Sequence, residues 1–245
     1  MVPGKMCLSP SLASGDLQTR RSWSRVAYLC VSLPDDLAEA LWRAPHSVIT
    51  QGETLRKVGA RSTVRLRWRN QHFVVKHYVE PTLRHALKQN IVRSRARSTW
   101  LAAQKLADAG IATPRPVACV ENRCGPFRGD SYLMYPYLEG QTLRSFLGGD
   151  EESGRPLVEA IRDQLVEFWC RLRDMRVSLA DSNLKNFIVG EAGRLFVIDV
   201  DKVRFHRVAF VALRHHQRAW RQFARSAHKS GGLAERLVAE LRGRM

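Results

Sequence analysis

At 245 residues the chain has room for one two-lobed domain or two small ones, and with 44% hydrophobic and 26% charged residues it has an ordinary globular composition. Lys and Arg number 40 against 23 Asp and Glu; the resulting +17 implies a polyanionic partner, whether nucleic acid, an anionic membrane face, or a phosphorylated or acidic substrate. Five cysteines, an odd number without a C-x-x-C pair, argue against a disulfide framework and a zinc site and for a reduced, cytosolic protein, and no stretch has the apolar length of a membrane span.

Residues 1 to about 24 are rich in Ser, Pro, Gly and Arg and are expected to be loosely ordered. Thr19-Arg20-Arg21-Ser22-Trp23 has a slight likeness to a twin-arginine signal. The apolar run behind it, Val26 to Leu33, is short, is interrupted by Ser32 and ends at Pro34-Asp35-Asp36, so no cleaved signal is expected. Residues 35–43 fit a short helix capped by Asp35 or Asp36, with Leu37, Ala40 and Leu41 on one face. Strands and turns are expected from Ser47 to Lys76. Val64 to Trp68 alternates apolar and basic residues, Arg69-Asn70-Gln71 is a turn, and His72 to Tyr78 is a second strand. Gly59 to Val64 is either a loop whose backbone N–H groups cover phosphates or a plain turn. Lys76 ends a V-V-K run, where it serves either a nucleotide phosphate or the protection of a strand edge.

Residues 92–109 read as a helix, with Ala96, Trp100, Ala103 and Ala107 at helical spacing and Gly110 closing it. Residues 111–117 are held extended by Pro114 and Pro116. A hairpin turn at Asn122 to Gly125 precedes a strand at Ser131 to Met134. The strand runs into Tyr135-Pro136-Tyr137-Leu138-Glu139-Gly140, either a hinge between lobes or an aromatic core strand. A helix starts at Thr142, an acidic loop fills 148–154, and Pro156 to Met175 is strongly amphipathic through Leu157, Ile161, Leu165, Phe168 and Leu172. Residues 207–228 form a basic helical run bearing Arg207, Arg214, Arg218, Arg221 and Arg225. Such a face is either simply solvated or rests on an anionic membrane. A short helix over 233–241 ends the chain.

The chemistry concentrates in Leu179 to Asp201, LADSNLKNFIVGEAGRLFVIDVD. Asp181 and Asn186 lie five apart. An apolar strand, Phe187 to Val189, a turn at Gly190 and Gly193, and a second strand, Leu195 to Ile198, lead to Asp199 and Asp201. Phosphoryl transfer needs a carboxylate to orient the acceptor hydroxyl and oxygen ligands for a magnesium ion bridging the phosphates, and a tight hairpin brings these groups to one place. A surface hairpin with polar turn residues would share part of the pattern. The segment resembles the catalytic loop and metal-binding segment of protein-kinase-like phosphotransferases, and Lys76 resembles their phosphate-pairing lysine.

The order V-V-K, G-I-x-T-P-x-P-V, Y-L-M-Y-P-Y-L-E-G, D-x-x-x-x-N-F and I-D-x-D resembles the lipopolysaccharide kinase (Kdo/WaaP) family over roughly residues 55–225. The resemblance implies an α+β, two-lobed protein-kinase-like fold with a small β-rich N-lobe and a helical C-lobe. Its domains would be a loosely ordered extension over 1–44, an N-lobe over 45–138 and a C-lobe over 139–245. It implies Asp181 as catalytic base, Asn186 and Asp199 as metal ligands, and Lys76 on the phosphates of ATP. Met134 would be the gatekeeper, with the Tyr135 carbonyl and Tyr137 N–H on the adenine. Asp201 would orient the loop or the metal; Lys185 has no clean counterpart in the family, and its charge could still meet a phosphate. ATP and Mg2+ are the implied cofactors. The acceptor would be a Kdo or heptose hydroxyl of the lipopolysaccharide core or its lipid-linked precursor, reached peripherally at the anionic cytoplasmic face of the inner membrane, with nucleic acid not the expected partner.

Two features depart from the family pattern. Leu179 stands where the kinase loop has His. No acidic residue occurs from Pro81 to Ala107, where kinases carry a lysine-pairing Glu; Arg84, Lys88, Arg93, Arg95, Arg97 and Lys105 stand there, and Thr99 or Gln104 could hydrogen-bond Lys76 without neutralising it, so either another acid holds the lysine or the enzyme is weak. Three rival readings remain: a kinase of this fold for proteins or small molecules, a non-catalytic kinase-like binding module, and a nucleic-acid binder suggested by charge alone.

Overall fold

The alternation of apolar and basic residues around Val64 and Phe73 builds the centre of a seven-stranded antiparallel sheet in a mixed α/β protein. The computed structural model describes residues 17–59, 61–79, 94–125, 127–148 and 155–243. Two units are distinguished: the chain up to Trp100 with Pro116–Pro136, and Leu101–Arg115 with Tyr137–Met245.

The first unit holds the sheet. Its strands are β1 (Leu17–Arg21), β2 (Arg25–Cys30), β3 (Glu53–Val58), β4 (Arg61–Trp68), β5 (Gln71–Tyr78), β6 (Ala118–Cys124) and β7 (Phe127–Pro136), in the order β1-β2-β6-β7-β5-β4-β3. Val64 and Leu66 on β4 and Phe73 and Val75 on β5 are buried, as a period-two pattern requires. Two helices pack beside them, α1 (Asp35–Arg43) and α2 (Pro45–Ile49).

Several expectations change here. The loose extension foreseen over 1–44 does not hold from residue 17 onward. The run considered as a signal is β2, a core strand whose Val26, Ala27, Leu29 and Cys30 are buried, and it pairs with β1 on one side and β6 on the other. Residues 1–16 lie outside the described part. On α1 the buried residues are Leu37, Ala38 and Leu41, not Ala40, and Asp35 and Asp36 sit inside the first turn rather than capping it. Asp36 instead accepts from Trp68 Nε1 at 3.2 Å and pairs with Arg69 at 2.7 Å. Residues 47–49 are helical because Pro45 opens α2. Of the proposed phosphate-covering loop, Arg61 to Val64 belong to β4, paired with β3 and β5; only Gly59, at φ +55, is in the turn, and residue 60 is outside the described part. The β6–β7 turn falls at Gly125, because β6 runs on through Cys124.

Helix α3 (Arg95–Asp108) buries Ala96, Trp100, Ala103 and Leu106, and Gly110, at φ +77, terminates it as expected. Arg84, Lys88 and Arg93 fall outside the described residues.

The second unit has helices α4 (Leu143–Phe146), α5 (Arg155–Asp174), α6 (Ala209–His228) and α7 (Gly232–Arg242). Thr142 caps α4 by accepting the Ser145 N–H. Two small sheets lie among them: β8 (Gln141–Thr142), β10 (Phe187–Val189) and β11 (Leu195–Val197) in the order β11-β10-β8, and β9 (Val177–Leu179) with β12 (Val203–Phe205). Ile161, Leu165, Phe168 and Leu172 put α5 into the core, as its spacing predicts. They meet an aromatic cluster of Phe168, Trp169, Phe187, Trp220 and Phe223 with ring centroids 5.3–5.8 Å apart.

Gly140 delivers β8 onto β10 at φ +144, and a Cβ there would lie 2.3 Å from the Val189 carbonyl oxygen. Backbone cannot yield as a side-chain tip can. Gly140→Ala is therefore expected to cost about 2–3 kcal/mol, lowering the thermal midpoint by roughly 5–10 °C. Circular dichroism melting checks this, and an unchanged midpoint would contradict the close approach.

Candidate active site

The loop carrying Asp181 is held at both ends. β9 pairs with β12 so that Leu179 lies opposite Val203, which ties the approach to Asp181 to the segment just beyond Asp201. Leu179, where kinases have His, is buried and apolar in that pairing.

Beyond Asp181 the chain is fixed from α6. Ser182, fully buried, donates its hydroxyl to the Ala219 carbonyl. Asn183 caps a single 3-10 turn over Leu184–Asn186. Its Oδ1 accepts from the Lys185 N–H at 3.2 Å and from the Ser226 hydroxyl at 2.9 Å, while Ser226 Oγ accepts the Leu184 N–H at 3.2 Å. Lys185 itself is exposed.

Asn186 is the junction. Its Nδ2 donates to the Asp181 carbonyl at 3.0 Å, and its own carbonyl accepts the Ile198 N–H at 2.8 Å. The first bond fixes the amide plane with its oxygen as the remaining ligand atom. The second continues the β10–β11 register, in which Phe187 faces Val197, and sets Ile198, the residue before Asp199, opposite Asn186. Asp199 stands in the left-handed region, φ 60 and ψ 49. A non-glycine residue there costs about 1–2 kcal/mol and persists where its surroundings over-determine it, most often at functional sites. Val200–Lys202 then turn into β12, carrying Asp201. Named bonds thus tie Asn186 to the backbone of Asp181 and to that of Ile198, the residue before Asp199.

In the first unit Lys76 is not an edge residue. β5 is flanked on both sides, with Thr63 of β4 and Leu133 of β7 opposite Lys76. This removes the edge-protection reading. Tyr135, opposite Val74, is on the same face, and Lys76 Nζ lies 5.9 Å from its ring centroid. Tyr135 is buried on β7, and Tyr137, half-buried, opens the second unit. The first turn of α3 carries no acid. Thr99 is buried, and its Oγ1 makes no hydrogen bond among the described residues, so it does not hold Lys76 as the sequence reading allowed.

The sequence reading did not foresee Gln222. From α6 its Nε2 donates to Asp181 Oδ1 at 3.1 Å. The signal is present in outline, since Ala219, Gln222 and Ser226 recur at three and four, but nothing local says what that face meets. Gln222→Ala should lower kcat about 5–10-fold by releasing a hydrogen bond to a charged group, discounted for exposure. KM for ATP and the melting midpoint should stay unchanged. Loss of stability in step with activity would make Gln222 merely structural.

Residues 39–241 match the sequence model of the lipopolysaccharide kinase (Kdo/WaaP) family. The chain belongs to this family. The match spans every residue from Lys76 to Asp201 discussed above. No curated protein sequence matches the chain significantly. Kdo/WaaP proteins are lipopolysaccharide kinases, hence phosphotransferases, and kinases of this kind generally use ATP and Mg2+.

The residues present suit such a metal. No group of three or more His, Cys, Asp or Glu able to hold an ion is assembled among the described residues. The amide oxygen of Asn186 and the carboxylate of Asp199 are hard-oxygen donors of the type that Mg2+ takes when phosphates and water complete its shell. No helix among the described residues is long and apolar enough to cross a membrane.

Proposed function

We propose that the chain is an ATP-dependent kinase that phosphorylates a Kdo or heptose hydroxyl of the lipopolysaccharide inner core. The observation that supports this is the pair of bonds tying Asn186 to the Asp181 carbonyl and to the N–H of Ile198, the residue before Asp199. Such bonds hold the backbone that carries all three residues, and phosphoryl transfer depends on positioning of that kind.

In this reading Asp181 orients the sugar hydroxyl and accepts its proton. The hydroxyl oxygen bonds to the γ-phosphorus of ATP, the bond to the β,γ-bridging oxygen breaks, and ADP leaves. Asn186 and Asp199 hold Mg2+, which when bound offsets charge on the β- and γ-phosphate oxygens. Lys76 pairs with the α- and β-phosphates. Tyr135 and Tyr137 receive the adenine through carbonyl and N–H, on either side of Pro136, where no donor is needed. Asp201 supports the metal loop, and Lys185 meets a phosphate. The seven-stranded unit is then the β-rich N-lobe and the second unit the helical C-lobe. The protein works at the cytoplasmic face of the inner membrane, where its +17 charge suits anionic lipid and phosphorylated core.

The acid-free first turn of α3 favours a second reading, a nucleotide-binding module without turnover. Incubation with ATP, Mg2+ and purified core lipopolysaccharide separates the two. A kinase adds one phosphate to Kdo or heptose, located by fragmentation mass spectrometry. A binding module gains thermal stability with Mg-ATP and yields no such product.

A further inference from the structure

Five of the ten large apolar side chains exposed among the described residues fall between 205 and 213: Phe205, Val208, Phe210, Val211 and Leu213. Phe210 is 73% exposed and Val208 59%. Scattered exposed apolar residues need no explanation, but a cluster within nine positions marks an interaction surface. The surface continues inward as a hollow of about 290 Å³ beside Phe210 and Leu213, where Leu172, Val177 and Ala212 join the lining with Arg173, Asp174 and Arg176.

The rest of the helix identifies the partner of this cluster. Stepping along α6 at ~100° per residue, the buried residues Ala212, Ala219, Phe223 and Ala227 lie on one side. The opposite side starts with Phe210 and continues with Arg214, Gln217, Arg218, Arg221 and Arg225, all exposed. No acidic residue occurs from Lys202 to Ala234. Arg204, Arg207, Arg214, Arg218, Arg221 and Arg225 form no ion pair among the described residues. A helix face that is merely solvated usually mixes both signs of charge. Here one end offers rings and branched aliphatics and the rest offers guanidinium groups and Gln217 with no acid among them, complementary to a surface that is oily beneath and anionic on top.

We propose that Phe205 to Leu213 insert into an anionic lipid bilayer while Arg214, Arg218, Arg221 and Arg225 lie along its headgroups. This deepens the reading under Proposed function and rests on it for its purpose, since it gives the surface by which a kinase of a lipid-linked sugar would meet its substrate. It places the membrane contact on the same helix whose Gln222 holds Asp181.

The test is flotation of the full chain with vesicles of phosphatidylcholine alone or mixed with phosphatidylglycerol, without nucleotide, so the outcome does not depend on kinase activity. The wild type should bind the mixed vesicles and not the neutral ones. Phe210→Ser with Leu213→Ser should weaken binding by ~tenfold or more. Arg214→Glu with Arg218→Glu and Arg221→Glu should abolish it, at ~fivefold for each arginine removed. Both variants change exposed residues, and their melting curves should match the wild type. The charge control is Arg56→Glu with Lys57→Glu on the exposed strand β3, which should have a much smaller effect. Equal loss from the β3 variant, or undiminished binding by the Phe210/Leu213 variant, would reduce the contact to the general +17 charge and overturn the proposal. So would failure of the wild type to bind either vesicle. A dimer in solution that the serine variant dissociates, without vesicle binding, would assign the surface to a second copy of the chain.

Discussion

Replacing Asp199 by Ala should abolish phosphate transfer, with a fall in kcat/KM of at least ~10³-fold, because the charge of a bound metal contributes several kcal/mol to the transition state. The melting midpoint without ligand should fall only slightly by comparison. Asp199 occupies a left-handed conformation just after β11, which Ala tolerates somewhat less well than Asp. Asp199→Gly is informative for the same reason: it should relieve the backbone cost and raise the midpoint slightly while remaining inactive. Single-turnover assays with ATP and core lipopolysaccharide, alongside melting curves, measure both. Retained activity in Asp199→Ala would remove the residue from the metal site.

The second large effect concerns stability. Trp169 is fully buried at the centre of the aromatic cluster, 5.4–5.5 Å by ring centroid from Phe168, Trp220 and Phe223 and 5.5 Å from His216. Trp169→Ala should cost about 3–5 kcal/mol, a drop of roughly 10 °C or more in the midpoint. Trp169→Phe should cost far less than its lost volume suggests. The indole N–H is buried without a hydrogen-bond partner among the described residues, so removing it relieves a desolvation penalty of about 1–3 kcal/mol. The alanine variant should also lose activity, because Phe223 of the same cluster packs on Phe187, the residue next to Asn186. Thermal melts followed by near-ultraviolet dichroism would show a small effect of Ala, or a large effect of Phe, as contradictions.

The features legible in the sequence are the local ones. The hairpin from Phe187 to Val197 was legible because two short apolar runs flank Gly190 and Gly193, and α5 because its apolar residues keep a helical period. Asp181, Asn186 and Asp199 were singled out by their spacing around that hairpin and by its resemblance to a kinase catalytic loop. The grip of α6 on the loop could not be read. It joins Ser182 to Ala219 and Asp181 to Gln222 by side-chain bonds across 37 and 41 positions, and no local pattern encodes such a pairing. β1 escaped notice because it is an edge strand with largely exposed residues, so its composition is that of a loop. The central place of Lys76 depends on β7 joining β5 from some sixty residues downstream, again a matter of topology. The left-handed Asp199 leaves no mark in composition either, since Gly is the usual residue for that conformation.

The central claim is transfer of phosphate to the inner core by Asp181 and its bonded neighbours. Its most direct test tracks label from the γ-phosphate of ATP into purified core lipopolysaccharide, with the wild-type chain and with Asp181→Asn. Asparagine keeps the shape and the contact with Gln222 while losing the proton acceptor. The account predicts labelled Kdo or heptose with the wild type and a rate lower by ~10²–10⁴-fold in the variant, with Mg-ATP still protecting both against heat. Equal labelling by the two proteins, or none from a wild type that binds Mg-ATP, would contradict it.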